Sequence, residues 1–121
     1  MEIDKLRPRI SVDTIFKVVS KEEPRFTRDG TRVADALVGD STGTVLMTLW
    51  RDQVDDVKVG ETYKLINGYT NLFRGSLRLT LGREGRLEAT DEDVGEVNTE
   101  NNLSDKIYPR EERPYRRYRR Y

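Results

Sequence analysis

Apolar residues in this chain recur in short runs of period two, and no stretch carries an apolar stripe long enough for a substantial helix. Val45, Met47 and Leu49 form one such set, and Leu77, Leu79 and Leu81 form another. Successive side chains of a strand point to opposite faces, so these sets face a core. Leu46, Thr48 and Trp50 then face outward, as do Ser76, Arg78 and Thr80. Short strands of this kind must bury one face against each other, which restricts the chain to a small sandwich or barrel.

Residues 12 to 19 are rich in β-branched and aromatic types and predict a first strand. A polar stretch from Lys21 to Arg32 follows, with Pro24 and the turn dipeptide Asp29-Gly30. Residues 33 to 38 predict a second strand, stopped by the tight loop Gly39 to Gly43, and Thr44 to Trp50 a third. The charged stretch Arg51 to Gly60 suits a short helix or a loop, Thr62 to Ile66 a fourth strand, and Ser76 to Leu81 a fifth. Between the last two lies Gly68-Tyr69-Thr70-Asn71-Leu72-Phe73-Arg74-Gly75, which reads as a loop with two aromatics beside an arginine. Aromatics of a folded domain usually enter the core, so a pair on a polar, glycine-bounded loop points to a flat partner. The expected fold class is all-β, a five-stranded OB-fold barrel, whose middle strands and long loops form an oligonucleotide surface. Periodicity alone does not separate this barrel from others of five strands.

The net charge of zero conceals three regions. Through Leu87 there are 15 Lys/Arg and 13 Asp/Glu; Glu88 to Asp105 holds seven acids and no base; Lys106 to Tyr121 holds seven bases against Glu111 and Glu112. The expected organisation is a nucleic-acid-binding domain at 1–87, a disordered acidic linker at 88–105 and a basic Arg/Tyr-rich tail at 106–121. Arginine interleaved with tyrosine joins charge to stacking, a composition suited to nucleic acid; recruitment of repair or replication proteins is the other expectation for the tail.

Without cysteine or histidine the chain has no disulfide framework, no thiolate metal site and no His-dependent triad. Gly39 to Gly43 lacks the spacing and lysine of a phosphate-binding loop. The acids from Asp91 to Glu100 do not follow a calcium-loop ladder. The expectation is therefore no metal, no cofactor and no enzyme. Met1 to Ile10 has no apolar core of signal-peptide length and no window approaches a membrane span, so a soluble, intracellular, monomeric protein is expected, cytoplasmic and nucleoid-associated if the source is prokaryotic.

Val38-Gly39-Asp40-Ser41-Thr42-Gly43, the strand ending Leu49-Trp50, the break at Val59-Gly60, and Gly68-Tyr69 through Phe73-Arg74-Gly75 occur in unbroken order. Together they resemble the archaeal and eukaryotic simple single-stranded DNA-binding proteins, which have one OB-fold akin to the DNA-binding domains of replication protein A. The resemblance spans roughly Lys5 to Leu87. It implies that Trp50, Tyr69 and Phe73 stack on bases of single-stranded DNA and that Arg74 is the base following the second loop aromatic. Some members carry a further aromatic where this chain has Thr80. Each stacked base is worth roughly 1 to 3 kcal/mol by alanine substitution, so three rings could dominate affinity.

Around these rings, Arg78 and Thr48 share the outward face, and Arg28 and Arg32 are expected at the opposite rim, with Phe26 as an extra ring. The expected function is a protein that coats and protects single-stranded DNA in replication, recombination or repair, with slight sequence preference. The alternatives are an OB-fold adaptor subunit of a replication-protein-A-like complex, and an RNA-binding OB protein, since outward rings accept either sugar.

Overall fold

A computed structural model of the chain describes residues 1–109. Seven strands are present: β1 (Ser11–Lys21), β2 (Arg25–Phe26), β3 (Arg32–Asp40), β4 (Gly43–Trp50), β5 (Thr62–Phe73), β6 (Ser76–Thr80) and β7 (Arg86–Thr90). One helical turn, α1 (Gln53–Asp56), lies between β4 and β5. Five of the strands close the OB barrel in the order β1-β3-β4-β6-β5 and back to β1. Closure depends on β1, whose first half pairs with β5 and whose second half pairs with β3. β4 and β6 run parallel and the other neighbours antiparallel. β2 extends the sheet beside β3, and β7 extends it beside β5.

The interior holds Phe16, Val18, Val38, Val45, Met47, Leu49, Leu65, Leu77 and Leu79, all at 1% exposure or less. Burying each of these side chains is worth roughly 1.5 to 3 kcal/mol against leaving it in water. Ile3 and Leu6 join the core from the N-terminal arm, and Val54 and Val57 join it from α1 and the residue after it. The arm is fastened by Asp40, whose Oδ2 accepts the Ile3 N–H at 3.1 Å while its Oδ1 accepts the Thr42 N–H at 2.8 Å. The alternation expected for β4 holds from Val45 onward: Val45, Met47 and Leu49 are buried, Leu46 and Thr48 half-buried and Trp50 exposed, whereas Thr44 at its start is buried.

Apart from the short β2, which lies in the polar stretch where no strand is expected, the structure departs from the expected elements in two places. First, residues 68 to 73 are not a loop but the second half of β5, and the real connection is the two-residue turn Arg74-Gly75. Both turn residues have positive φ, 53° and 85°, as a type I′ hairpin turn requires. The strand escapes recognition because its inward residues here are Gly68 and Thr70 rather than large apolar ones. Thr70 is fully buried yet satisfied, accepting the Ile10 N–H at 3.0 Å and donating to the Arg7 carbonyl. Gly68 is required by space: a Cβ there would lie 2.5 Å from Leu65 Cδ2, where β5 bends beside the left-handed Asn67.

Second, the segment expected as a disordered acidic linker is placed against the barrel. The boundary at residue 87 falls inside β7, which pairs with Thr62–Ile66 of β5. Further on, Asn98 donates its N–H to the Asp40 carbonyl at 3.0 Å, and Asn101 accepts the Thr44 N–H at 2.9 Å. Ser104 accepts the Leu46 N–H at 2.9 Å and donates to the Leu77 carbonyl, bridging β4 and β6. Tyr108 then donates its N–H to the Gly75 carbonyl at 2.8 Å. This strap, residues 98 to 108, is poor in apolar residues because backbone and hydroxyl hydrogen bonds hold most of it; only Leu103 and Tyr108 pack on the core. It also explains Ser76, expected outward but buried: its Oγ donates to the Ser104 carbonyl at 2.6 Å. The tail from Arg110 onward lies outside the described residues.

Candidate nucleic-acid interface

The strand registers assemble one outer face. Tyr69, Asn71 and Phe73 of β5 stand opposite Thr80, Arg78 and Ser76 of β6. Thr80 and Arg78 in turn adjoin Thr48 and Leu46 of β4, and Thr48 and Trp50 adjoin Asp35 and Val33 of β3. Trp50, Tyr69 and Phe73 are 39%, 39% and 52% exposed, although each is a large apolar ring. From strand spacing and rise, Trp50 lies about 12 Å from Tyr69, and Tyr69 lies about 14 Å from Phe73. The rings therefore mark a diagonal path rather than one stacked cluster. Thr80 and Thr48 form its floor between Tyr69 and Trp50.

The polar floor is organised by Asp35, which the apolar run of β3 hides in the sequence. Its carboxylate is 7% exposed and accepts from Arg78 Nη1 at 3.3 Å and from Thr48 Oγ1 at 3.3 Å, with Arg25 Nη1 at 3.6 Å. Arg78 is further held by Ser76 Oγ, 3.2 Å from its Nε. So fixed, its guanidinium carbon lies 5.2 Å from the centre of the Phe73 ring, and that of Arg74 lies 5.4 Å from the same ring. Cation–π attraction of this kind orients an exposed ring that has little other packing. Arg78 is thus tied to an Asp35 carboxylate that it shares with Arg25.

The two other expected arginines separate. Arg28 is exposed on the turn between β2 and β3. Arg32 has the parity of Ala34 and Ala36, opposite to Trp50, and turns toward α1, where its Nη1 and Nη2 reach the two Asp55 oxygens at 3.0 and 2.6 Å. That hydrogen bonding raises the Arg32 pKa and holds the Asp55 carboxyl below the usual aspartate value. Phe26 pairs with Arg32 and shares its parity, so it stands off the ring face despite 69% exposure. Arg25, one residue earlier, is on the ring face instead. Sequence reasoning missed Arg25, Asp35 and Asn71; the β2–β3 pairing, the β3–β4 register and the run of β5 to Phe73 are what place them on this face. Among the described residues no cluster of three or more Asp or Glu could hold a metal ion.

Comparison with known proteins bears on the family and the fold. Residues 8–89 match the family described as single-stranded DNA binding protein Ssb-like, OB fold. The chain is 32% identical over 96 residues to the single-stranded DNA binding protein Ssb of Saccharolobus solfataricus, covering 76% of this chain and 65% of that one. It is 42% identical over 99 residues to an uncharacterized Arabidopsis thaliana protein, covering 78% of this chain and 65% of that one. Thus the alignments span somewhat less than two thirds of either relative's length. Among solved structures, a hypothetical protein from Arabidopsis thaliana superposes with a TM-score of 0.78 at 31% identity, over 93% of this chain and 88% of that one. A replication protein A heterotrimer bound to ssDNA gives a TM-score of 0.66 at 19% identity, over 81% of this chain and 27% of that one, a likeness of fold.

Proposed function

We propose, for a chain that belongs to the Ssb-like, OB-fold family of single-stranded DNA-binding proteins, that single-stranded DNA crosses the ring face from Trp50 past Tyr69 to Phe73. The observation that carries this reading is the trio of exposed rings on one continuous face, joined by strand register. Each ring offers a flat surface to a base, whatever its identity, so binding has slight sequence preference. Arg74 and Arg25 supply charge along the edge of the path, and Arg28 supplies it from the neighbouring turn. Arg78 acts mainly by holding Phe73 against solvent, because its guanidinium is tied to Asp35. The protein acts by binding rather than catalysis, as a single subunit that coats and protects exposed strands during replication, recombination or repair.

The test is a competition titration with a fluorescent oligo-dT displaced by unlabelled single-stranded DNA, RNA of the same sequence, and duplex DNA at two salt concentrations. Single-stranded DNA should compete best, and its affinity should fall as salt rises because bound phosphates release counterions. Equal competition by duplex would refute the stacking path. Stronger competition by RNA would reassign the substrate. A folded protein with feeble affinity for all three would support the adaptor role instead.

A further inference from the structure

The ring path turns at Tyr69. From Trp50 it crosses β4 and β6 to reach Tyr69, and from Tyr69 it runs along β5 to Phe73. On the outer side of this corner lies a cavity of about 390 Å³, lined by Tyr69 with Ser11, Asn67, Gly82, Arg83 and Glu84. Strand register fixes its place. Ser11 of β1 stands opposite Tyr69 on the side away from Thr80, and Asn67 lies two residues along β5 on the side away from Phe73.

One wall is the loop between β6 and β7, which is folded tightly onto β5. A Cβ on Gly85 would lie 1.9 Å from the Leu81 carbonyl oxygen and 3.1 Å from that of Asn67, and a Cβ on Gly82 would lie 3.4 Å from Tyr69 Cβ. Asn67 is braced in turn: it has φ 60°, and its N–H donates to Asp13 Oδ1 at 2.7 Å. Arg83 and Glu84 are thus carried beside the Tyr69 ring on a short loop with little freedom. Both are exposed, and neither is in a salt bridge with another described residue.

A carboxylate only accepts hydrogen bonds and a guanidinium only donates them. Guanine alone among the four bases presents two adjacent donors, N1–H and the N2 amino group, to the two oxygens of a carboxylate. Its other edge offers O6 and N7, two acceptors that match the paired donors of an arginine. Adenine and cytosine set a donor beside an acceptor, and thymine sets one donor between two acceptors, so none of them fills a carboxylate twice. A strand rounding a corner opens the stack between neighbouring bases, and an unstacked base is read on its edges.

We infer that the cavity beside Tyr69 is a base-reading subsite that takes the nucleotide unstacked at the corner and favours guanine, with Glu84 accepting from N1–H and N2–H and Arg83 donating to O6 and N7. This rests on the reading of the ring face as a single-strand path, and it adds one preferred base to a track that is otherwise tolerant of sequence.

The experiment displaces a fluorescent oligo-dT from the full chain with unlabelled strands of about 12 nucleotides, within the roughly 4 to 16 that an OB-fold occupies. One competitor is all thymidine; the others carry a single central deoxyguanosine, deoxyadenosine or deoxycytidine. The guanine strand should bind at least about fivefold more tightly than oligo-dT, the lower end for one bidentate base contact, and the adenine and cytosine strands within about twofold of it. Glu84→Gln should cut the guanine gain to less than about twofold. Arg83→Lys, which keeps the charge but loses the paired donors, should reduce it as well. Equal binding of all four strands would overturn the subsite and leave the ring path standing. So would a preference for adenine or cytosine, or a guanine gain untouched by Glu84→Gln. Failure to bind any of the four would overturn the ring-path reading along with it.

Discussion

Replacing Ser104 with alanine removes one hydroxyl group and leaves two barrel strands short of a partner. Ser104 Oγ accepts the Leu46 N–H of β4 at 2.9 Å and donates to the Leu77 carbonyl of β6. The serine is 5% exposed, so water cannot readily take its place. Each buried backbone group left unsatisfied costs about 1 to 3 kcal/mol, which makes Ser104→Ala destabilising by about 2 to 5 kcal/mol. At a urea dependence of about 1.5 kcal/mol per molar, the unfolding midpoint should fall by roughly 1 to 3 M. Equilibrium urea unfolding followed by circular dichroism measures this directly. A fall of less than about 0.3 M, with the slope unchanged, would show that the strap is not docked in solution and that residues 98 to 108 behave as a free linker.

Three further outcomes are expected. Phe73→Ala and Trp50→Ala should each weaken single-stranded DNA binding by about 5- to 150-fold, the equivalent of one lost stack, while the thermal unfolding curve stays close to that of the parent because both rings are exposed. Thr80→Phe places a ring on the floor between Tyr69 and Trp50 and should tighten oligo-dT binding about fivefold or more by anisotropy; weaker binding would mean that the strand does not cross that floor. Asp55→Asn should lower the urea midpoint by a constant amount from about pH 5 to about pH 8. Asp55 has a depressed pKa through its hydrogen bonds to Arg32, so its contribution is complete above the ordinary value of 3.8 and disappears as pH falls through the lowered one. The two proteins should therefore converge in acid.

The sequence discloses most where side chains alternate cleanly. Val45, Met47 and Leu49 alternate with Thr48 and Trp50, so both the strand and the outward tryptophan follow from parity. Tyr69 and Phe73 are recognisable as exposed rings for the same reason that their setting is misread. The buried positions beside them are Gly68 and Thr70, with Leu72 only partly buried, and a buried threonine satisfied by the arm at Arg7–Ile10 leaves no apolar trace. Asp35 is invisible in another way. A single carboxylate in an apolar run signals nothing until β3 is paired with β4 and two arginines converge on it. The strap is illegible because composition reports side-chain burial, whereas residues 98 to 108 are held mainly through main-chain groups and Ser104. The Arg32–Asp55 pair needs the position of α1, which composition alone does not supply.

Trp50 is the sole tryptophan, and it stands at one end of the proposed path. A titration of oligo-dT into the protein, with intrinsic fluorescence and anisotropy of the labelled oligonucleotide recorded on the same samples, tests the stacking path most directly. Tryptophan emission should be quenched and should saturate at the same concentration as the anisotropy, with both midpoints moving to higher concentration as salt is added. Binding by anisotropy with no change in tryptophan emission would place the strand away from Trp50 and contradict the account.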